Sequence, residues 1–254
     1  MLATILLLLG APFIGSFLST LILRLPEGRP VFFDRSHCEA CGHVLGALDL
    51  VPLFSWVFLK GRCRHCGAKL GIHYPLIELA ALGIAAWALL TVPPHLIWPT
   101  AALGWALLAL AVIDIRHLIL PDVLTLALIP AGLAVAWWLY PERLLHHALG
   151  AALGFLGFAG LAWAYHKLRG REGLGLGDAK LLAAAGAWVS WTGLGSVLLW
   201  AAPIALVVSL AAGVIQGTLS DRLAGRSAVP FGTFLALGFW LTWIYGPIRL
   251  GWLE

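Results

Sequence analysis

The most constraining feature of this sequence is a series of apolar runs close to 20 residues long. About 20 apolar residues in a helix span the hydrocarbon core of a bilayer, which is roughly 30 Å thick. Backbone polar groups inside lipid must pair within the chain, which favours helices. We therefore predict an all-α, polytopic membrane protein of about eight transmembrane helices. The runs cover 2–24, 76–93, 97–115, 123–140, 145–165, 179–192, 194–216 and 231–247.

Composition agrees with a membrane protein. The chain is 61% hydrophobic and 11% charged, whereas a soluble domain carries roughly 25% charged residues. The net charge of +4 is modest, and the Lys and Arg residues stand in short loops between apolar runs. That placement indicates a lipid bilayer as the partner and no nucleic acid.

The distribution of positive charge predicts an orientation. The first Lys or Arg is Arg24, so the N-terminal run lacks the leading charge of a secretory signal and is expected to be a retained helix. Placing the N-terminus outside leaves only Arg143 and Arg249 of the 16 Lys and Arg residues outside, and 14 on the cytoplasmic side, as the positive-inside rule requires. The cytoplasmic stretches are then 24–75, 116–122, 166–180 and 217–230.

Three domains follow from this topology. Residues 1–24 form the first transmembrane helix, 25–75 a cytoplasmic loop domain, and 76–254 a multi-helix membrane domain. The loop is the one sizeable soluble segment and holds every cysteine of the chain.

Four cysteines in two C-x-x-C pairs predict a metal site. The pairs are Cys38 with Cys41 and Cys63 with Cys66. Four thiolates hold structural zinc and leave no position for a reacting water, and a segment of about 50 residues needs such a staple. Disulfides and a redox-active pair remain as alternatives, although the predicted cytoplasmic location disfavours disulfides.

Two aspartates are candidates for catalysis. Asp114 stands in the last turn of the third apolar run, at the negative end of the helix dipole, where a carboxylate is unfavourable. Pairing with Arg116 or His117 is the structural alternative. Asp178 follows Gly175 and Gly177 in G-L-G-L-G-D-A-K, where glycines allow close approach of the backbone to a substrate. A helix N-cap is its structural alternative.

The topology brings the two carboxylates to one face of the membrane. The chain crosses the bilayer twice between Asp114 and Asp178, so both are expected near the cytoplasmic boundary. Two neighbouring carboxyl groups can share a proton, so that one activates water while the other protonates the scissile group. Asp122, in L-P-D-V, is expected to start a helix and could shape the same site.

Other readings explain less of the sequence. A small transporter with an intramembrane Asp pair as its proton or cation site accounts for the aspartates but not for the cysteine loop. A non-catalytic scaffold accounts for the loop but not for Asp114. The sequence contains no H-E-x-x-H, G-x-S-x-G or P-loop pattern, which disfavours zinc-protease, serine-hydrolase and nucleotide-binding chemistry.

These motifs together resemble the type IV prepilin leader peptidase and N-methyltransferase family of GxGD-type intramembrane aspartic proteases. The shared features are G-x-G-D followed by Lys180, the upstream D-x-R-H with L-P-D, the two cysteine knuckles, G-S-F-L-S-T-L-I-L-R-L-P, H-Y-P-L-I-E-L and V-P-F-G-T-F-L-A-L-G. The resemblance covers nearly the whole chain.

The resemblance implies an enzyme of the bacterial inner membrane that cleaves the basic leader of prepilins or type II secretion pseudopilins. It assigns Asp114 and Asp178 as the catalytic pair, with Gly175, Gly177, Lys180 and Asp122 shaping the site. It also implies zinc on the four cysteines and S-adenosylmethionine as the donor for methylating the new N-terminus. Glu78 matches a family carboxylate without an assigned chemistry. Glu39 and Leu48-Asp49-Leu50 depart from the family pattern and lie in the loop.

Overall fold

The protein is all-helical over the residues that the computed structural model describes, which are 2–32, 35–170, 175–217 and 229–248. Two isolated antiparallel bridges, both in the cysteine loop, accompany the helices. Packing divides the chain into two compact units, Met1–Ala109 and Leu110–Glu254. Arg171, Arg222, Arg226 and Arg249 of the predicted charge pattern lie outside the described residues.

The first unit contains two long helices, the cysteine loop and residues 97–109, which are the first part of a further helix. Helix α1 covers Leu2–Arg24, the single-turn helix α2 covers Phe54–Phe58, and α3 covers His73–Thr91. Helix α1 packs on α3 because Gly15 lacks a side chain: a Cβ there would lie 2.5 Å from the Cα of Glu78.

The second unit is a bundle of apolar helices. It contains the last turns of α4 (Ile97–His117), then α5 (Asp122–Leu139) and α6 (Leu144–Arg169). Helices α7 (Leu176–Gln216) and α8 (Phe231–Tyr245) complete it. Six helices of the whole described chain are long and apolar enough to cross a bilayer, and α8 is a shorter apolar helix.

Helix α7 is two helical segments joined at Ser190. A straight helix of 41 residues would be about 60 Å long, twice the thickness of a hydrocarbon core. Ser190 has φ 65° and ψ 172°, outside the helical region and in a range that non-glycine residues rarely adopt. The predicted boundary near residue 193 therefore lies three residues too late.

The chain reverses direction at Ser190. The start of α7 and the start of α8 lie against the same leucine, so the first segment of α7 runs beside α8 in the same direction. The second segment then runs back along α8. Counting the two segments of α7 separately, the described residues contain eight apolar helical segments, the number of helices that the sequence predicts. The contacts are Gly177 and Gly232 with Leu120, Trp188 with Trp243, Gly193 with Thr242, and Val197 with Gly238.

Glycines allow these helices to pack closely. A Cβ on Gly186 would collide with the carbonyl group of Gly150, and a Cβ on Gly154 would lie 2.5 Å from the Leu182 carbonyl oxygen. Small residues at such positions are the usual way for membrane helices to approach each other. This packing holds α6 against the first segment of α7, which begins at the candidate site.

The sequence predicts a division by location, with membrane segments 1–24 and 76–254 on either side of the loop 25–75. Packing divides the chain differently, because it puts α1, the loop and α3 into one compact unit. The assignment of separate activities to these segments stays a prediction.

Candidate active site and metal centre

Asp114 lies in the last turn of α4 and is almost completely buried, with 5% of its surface exposed. The backbone N–H of Thr233 donates to its Oδ2 at 2.7 Å. Thr233 is the third residue of α8, where backbone N–H groups have no partner within their own helix. Asp114 therefore stands at the unfavourable end of its own helix and at the favourable, positive end of α8.

The Thr233 hydroxyl adds a second contact to the same carboxylate. Its Oγ1 lies 3.1 Å from Asp114 Oδ2 and 3.1 Å from the carbonyl oxygen of Ala111. A hydroxyl has one hydrogen and two acceptor positions, so Thr233 can donate to an ionised Asp114. It can instead donate to Ala111 and accept a hydrogen bond from a protonated Asp114. The hydroxyl therefore suits both protonation states.

The turn after α4 fits closely around this carboxylate. Leu118, with φ 55°, ends α4 and donates its N–H to the Asp114 carbonyl oxygen at 2.9 Å. The turn then places Leu120 against Gly177 and Gly232. A Cβ on Gly232 would lie 3.1 Å from Asp114 Oδ2, so glycine leaves space beside the carboxylate.

Asp178 lies in the first turn of α7 and is partly exposed. The N-cap is Gly175, so the alternative of Asp178 as the N-cap is wrong. Its N–H donates to the Gly175 carbonyl oxygen at 3.1 Å. The charges of Asp178 and Asp114 are close enough to interact directly. The structure thus brings the two predicted aspartates together, although 64 residues separate them in the sequence.

Lys180 and Asp122 form an ion pair beside the aspartates. Lys180 Nζ lies 2.7 Å from Asp122 Oδ1, and their side chains are 24% and 59% exposed. Asp122 is the first residue of α5, after the N-cap Pro121. The pair joins the start of α5 to the start of α7, so these two predicted residues hold helix ends together.

Sequence reasoning missed Thr233 and Leu120. Both lie inside motifs that the sequence offers, Thr233 in V-P-F-G-T-F-L-A-L-G and Leu120 in L-P-D, but neither was assigned a role. What the sequence lacked was the pairing of the α4 end with the α8 start, because 119 residues separate Asp114 from Thr233.

The four cysteines converge in the first unit as predicted. Their Sγ atoms all lie within 4.8 Å of one another, and all four thiols are free, so the disulfide alternative is wrong. Tetrahedral zinc with bonds of about 2.3 Å spaces its sulfurs by roughly 3.8 Å, so the cluster fits a metal ion. Arrangement and donor type fit a structural site with no open position.

The two C-x-x-C pairs have the same backbone conformation at the glycine that follows each of them. Gly42 and Gly67, each with φ 70°, donate their N–H groups to the carbonyl oxygens of Cys38 and Cys63 at 2.8 and 3.0 Å. This positive φ is the reason for glycine after each knuckle. Backbone N–H groups of Cys66 and His65 lower the pKa of the Cys63 thiol to about 7, whereas burial and the neighbouring thiols raise the pKa of Cys66 to about 11. Cys63 is therefore the first of these two to become the thiolate that binds metals.

Fold and site together define a multi-pass membrane protein with a carboxylate pair at its helix ends and a four-thiol metal centre in a loop. The model of the bacterial Peptidase A24 N-terminal domain matches residues 8–92, and that of the type IV leader peptidase family matches residues 101–216. The chain belongs to the type IV leader peptidase family.

Curated relatives extend over most of the chain. A protein of Burkholderia pseudomallei (strain K96243) is 39% identical, and the match covers 92% of this chain and 82% of the relative. A protein of Aeromonas salmonicida (strain A449) is 36% identical over 94% of this chain and 89% of the relative. A protein of Pseudomonas aeruginosa is 33% identical over 92% of this chain and 87% of the relative. Each is named prepilin leader peptidase/N-methyltransferase. No solved structure matches this chain.

Proposed function

We propose that this protein removes the N-terminal leader of prepilins or type II secretion pseudopilins with Asp114 and Asp178 as its catalytic pair, and then methylates the new N-terminus. The observation that carries the proteolytic step is the meeting of a buried, doubly hydrogen-bonded Asp114 with Asp178 at the ends of two apolar helices. The names of the relatives supply the substrate class.

The geometry suits water activation by a carboxylate pair. The ionised carboxylate accepts a proton from water, and the resulting hydroxide character attacks the carbonyl carbon of the scissile peptide bond. The protonated partner donates to the carbonyl oxygen and, as the C–N bond breaks, a proton reaches the leaving amine. Thr233 keeps Asp114 oriented throughout, because its hydroxyl can donate to one protonation state and accept from the other.

The proposed orientation in the membrane puts the two aspartates on the side where the scissile peptide bond of a prepilin would lie. We place the N-terminus outside and both the cysteine loop and the aspartates on the cytoplasmic side of the inner membrane, because 14 of the 16 Lys and Arg residues then face the cytoplasm. A prepilin has a basic leader followed by an apolar helix. That helix would lie in the bilayer, and the cleavage site would lie at its cytoplasmic boundary.

The cysteine loop indicates the two cofactors of the protein, a metal ion and a methyl donor. Zinc is the ion we assign to Cys38, Cys41, Cys63 and Cys66, because four thiolates in a small loop are typical of structural zinc. S-adenosylmethionine is the methyl donor we assign, and it supplies an electrophilic methyl group when bound. No relative supports the transporter reading.

Substitution of each aspartate tests the proteolytic mechanism. Asn preserves the shape of Asp but cannot exchange a proton, so Asp114→Asn and Asp178→Asn should each reduce leader cleavage of a synthetic prepilin at least about 10³-fold. Glu142→Gln, at an exposed carboxylate just after the end of α5 opposite Asp122, is the matched control and should cleave as wild type does. The variants are purified in detergent and checked for bound metal.

Retention of near wild-type cleavage by either catalytic variant would contradict the assignment. Absence of cleavage by wild type, with a proton flux in liposomes that the same substitutions abolish, would instead establish the transporter.

A further inference from the structure

Four large apolar side chains of the cysteine loop are exposed, although the sequence predicts this segment to be soluble. On α2, Phe54, Val57 and Phe58 are 66%, 65% and 80% exposed, and Phe32 is 79% exposed. Phe54 and Phe58 are four residues apart and therefore lie on one side of the helix. Exposed apolar side chains that are grouped in this way indicate a partner that covers them.

Phe32 lies beside a membrane-spanning helix. Its ring centroid is 5.6 Å from that of Phe17 on α1, and Phe17 is itself exposed. At 1.5 Å per residue, Phe17 lies about 10 Å from Arg24 along the helix axis, inside the apolar span Ala3–Arg24. The loop therefore returns alongside α1 at a level where the surface of α1 faces lipid.

The start of α2 is fixed beside the other long helix of the first unit. The backbone N–H of Leu53 donates to Glu78 Oε2 at 2.7 Å, and Glu78 lies in the second turn of α3, within the apolar span His73–Thr91. Leu53 has φ 62° and ψ −53°, a conformation that strains a non-glycine residue, and α2 begins at the next residue. This strained turn starts α2 beside the first two turns of a membrane-spanning helix.

Basic residues follow α2 directly. Lys60 and Arg62 are exposed, and an antiparallel bridge places Arg62 opposite Lys69, which is also exposed. Like charges in facing positions repel each other, and none of these three cations forms an ion pair among the described residues. Apolar side chains next to cations match the surface of a bilayer, where acyl chains adjoin phosphate headgroups.

We propose that Phe32 and the apolar side of α2 are embedded in the lipid leaflet at the Arg24 end of α1, with Lys60 and Arg62 at the level of the headgroups. Lipid is favoured over a protein partner because Phe32 continues the lipid-facing surface of α1. In the orientation proposed above, this is the cytoplasmic leaflet.

This placement changes the description of the cysteine loop. Phe32 precedes the first C-x-x-C pair, and α2 lies between the two pairs. The segment 25–75 is then attached to the bilayer at two places, and its metal centre lies close to the membrane surface. The placement does not depend on the aspartate mechanism.

Photo-crosslinking of the full-length, metal-containing protein in nanodiscs of phosphatidylethanolamine and phosphatidylglycerol tests the proposal. The photoreactive amino acid p-benzoylphenylalanine replaces Phe58 or Phe32, one at a time, and mass spectrometry identifies the adducts. Both positions should form lipid adducts within about threefold of the yield at Phe13, an exposed aromatic residue of α1, because all three would contact acyl chains. The same replacement at His43, an exposed ring against His65, is the matched control and should give at least about tenfold less lipid adduct.

Retained metal shows that the loop is folded in each sample, and the second position serves where replacement at the first releases the metal. In metal-retaining protein, a lipid yield at Phe58 or Phe32 as low as that at His43 would overturn the proposal. Adducts to a second copy of this chain, or to an added prepilin in place of lipid, would overturn it as well, because a protein would then cover these side chains.

Discussion

Two buried carboxylates of this protein are held by the same contact in different surroundings. Glu78 and Asp114 are 6% and 5% exposed, and each accepts one backbone N–H at 2.7 Å. The donor to Glu78 is Leu53, in a strained loop; the donor to Asp114 is Thr233, in the first turn of a helix. We expect the loop to depend on a metal ion at its four cysteines for its shape, whereas the helix, α8, is held by close packing of Gly232 on Leu120 and of Gly238 on Val197. Disturbing one support should therefore leave the other carboxylate in place.

Removal of the metal should have the largest effect and should stay within the first unit. Structural zinc contributes on the order of 10 kcal/mol to folding of small domains, so Cys38→Ser with Cys63→Ser should unfold the cysteine loop. Limited proteolysis should then cleave within residues 25–75 while α6 and α7 stay protected. Ser36→Ala, beside the first knuckle, is the control and should keep both metal and protection. Equal loss of protection in both units would refute this separation.

Glycine substitution tests the support of the second unit. A Cβ on Gly186 would meet the Gly150 backbone, so Gly186→Ala should lower the free energy of unfolding by about 3 kcal/mol, as overpacking does. Gly195→Ala, on the second segment of α7 with open space around it, should be neutral or slightly stabilising. Thermal unfolding in detergent measures both. Similar effects of the two substitutions would show that close packing is not what holds α6 on α7.

Loss of the Thr233 hydroxyl should weaken cleavage without abolishing it. Thr233→Val keeps the shape and the backbone N–H but removes one hydrogen bond to Asp114, so the cleavage rate should fall about tenfold. Thr233→Ser should restore most of it. A Val variant with the wild-type rate would mean that the backbone N–H alone orients Asp114.

The Asp122–Lys180 pair should contribute least. Its side chains are 59% and 24% exposed, and such pairs contribute below about 1 kcal/mol. A double-mutant cycle with Asp122→Asn and Lys180→Met measures the coupling free energy directly. A coupling of several kcal/mol would mean that the pair is shielded from water in the membrane.

The sequence predicted what depends on local pattern. Runs of apolar residues gave the helices, and the C-x-x-C spacing gave the four-thiol cluster, because both need only neighbouring residues. The pairing of Asp114 with Asp178 was predictable from topology, since two crossings return the chain to one face.

What the sequence could not predict depends on contacts between distant segments. Thr233 reaches Asp114 across 119 residues, and nothing in P-F-G-T marks which carboxylate its N–H will meet. The reversal at Ser190 was placed three residues late, because serine in a left-handed conformation carries no local signal, unlike glycine. The cavity lined by residues of α1, α3 and the cysteine loop forms only when these three segments pack together.

We expect Asp114 and Asp178 to act as one unit in cleavage, and a comparison of the single substitutions with the double substitution tests this most directly. Cleavage of a synthetic prepilin is measured with Asp114→Asn, Asp178→Asn and the double variant, all retaining metal. If the carboxylates act together, the double variant is no slower than either single variant, because removing one already removes the function of the pair. Single losses that multiply in the double variant, or a single variant that cleaves normally, would contradict the account.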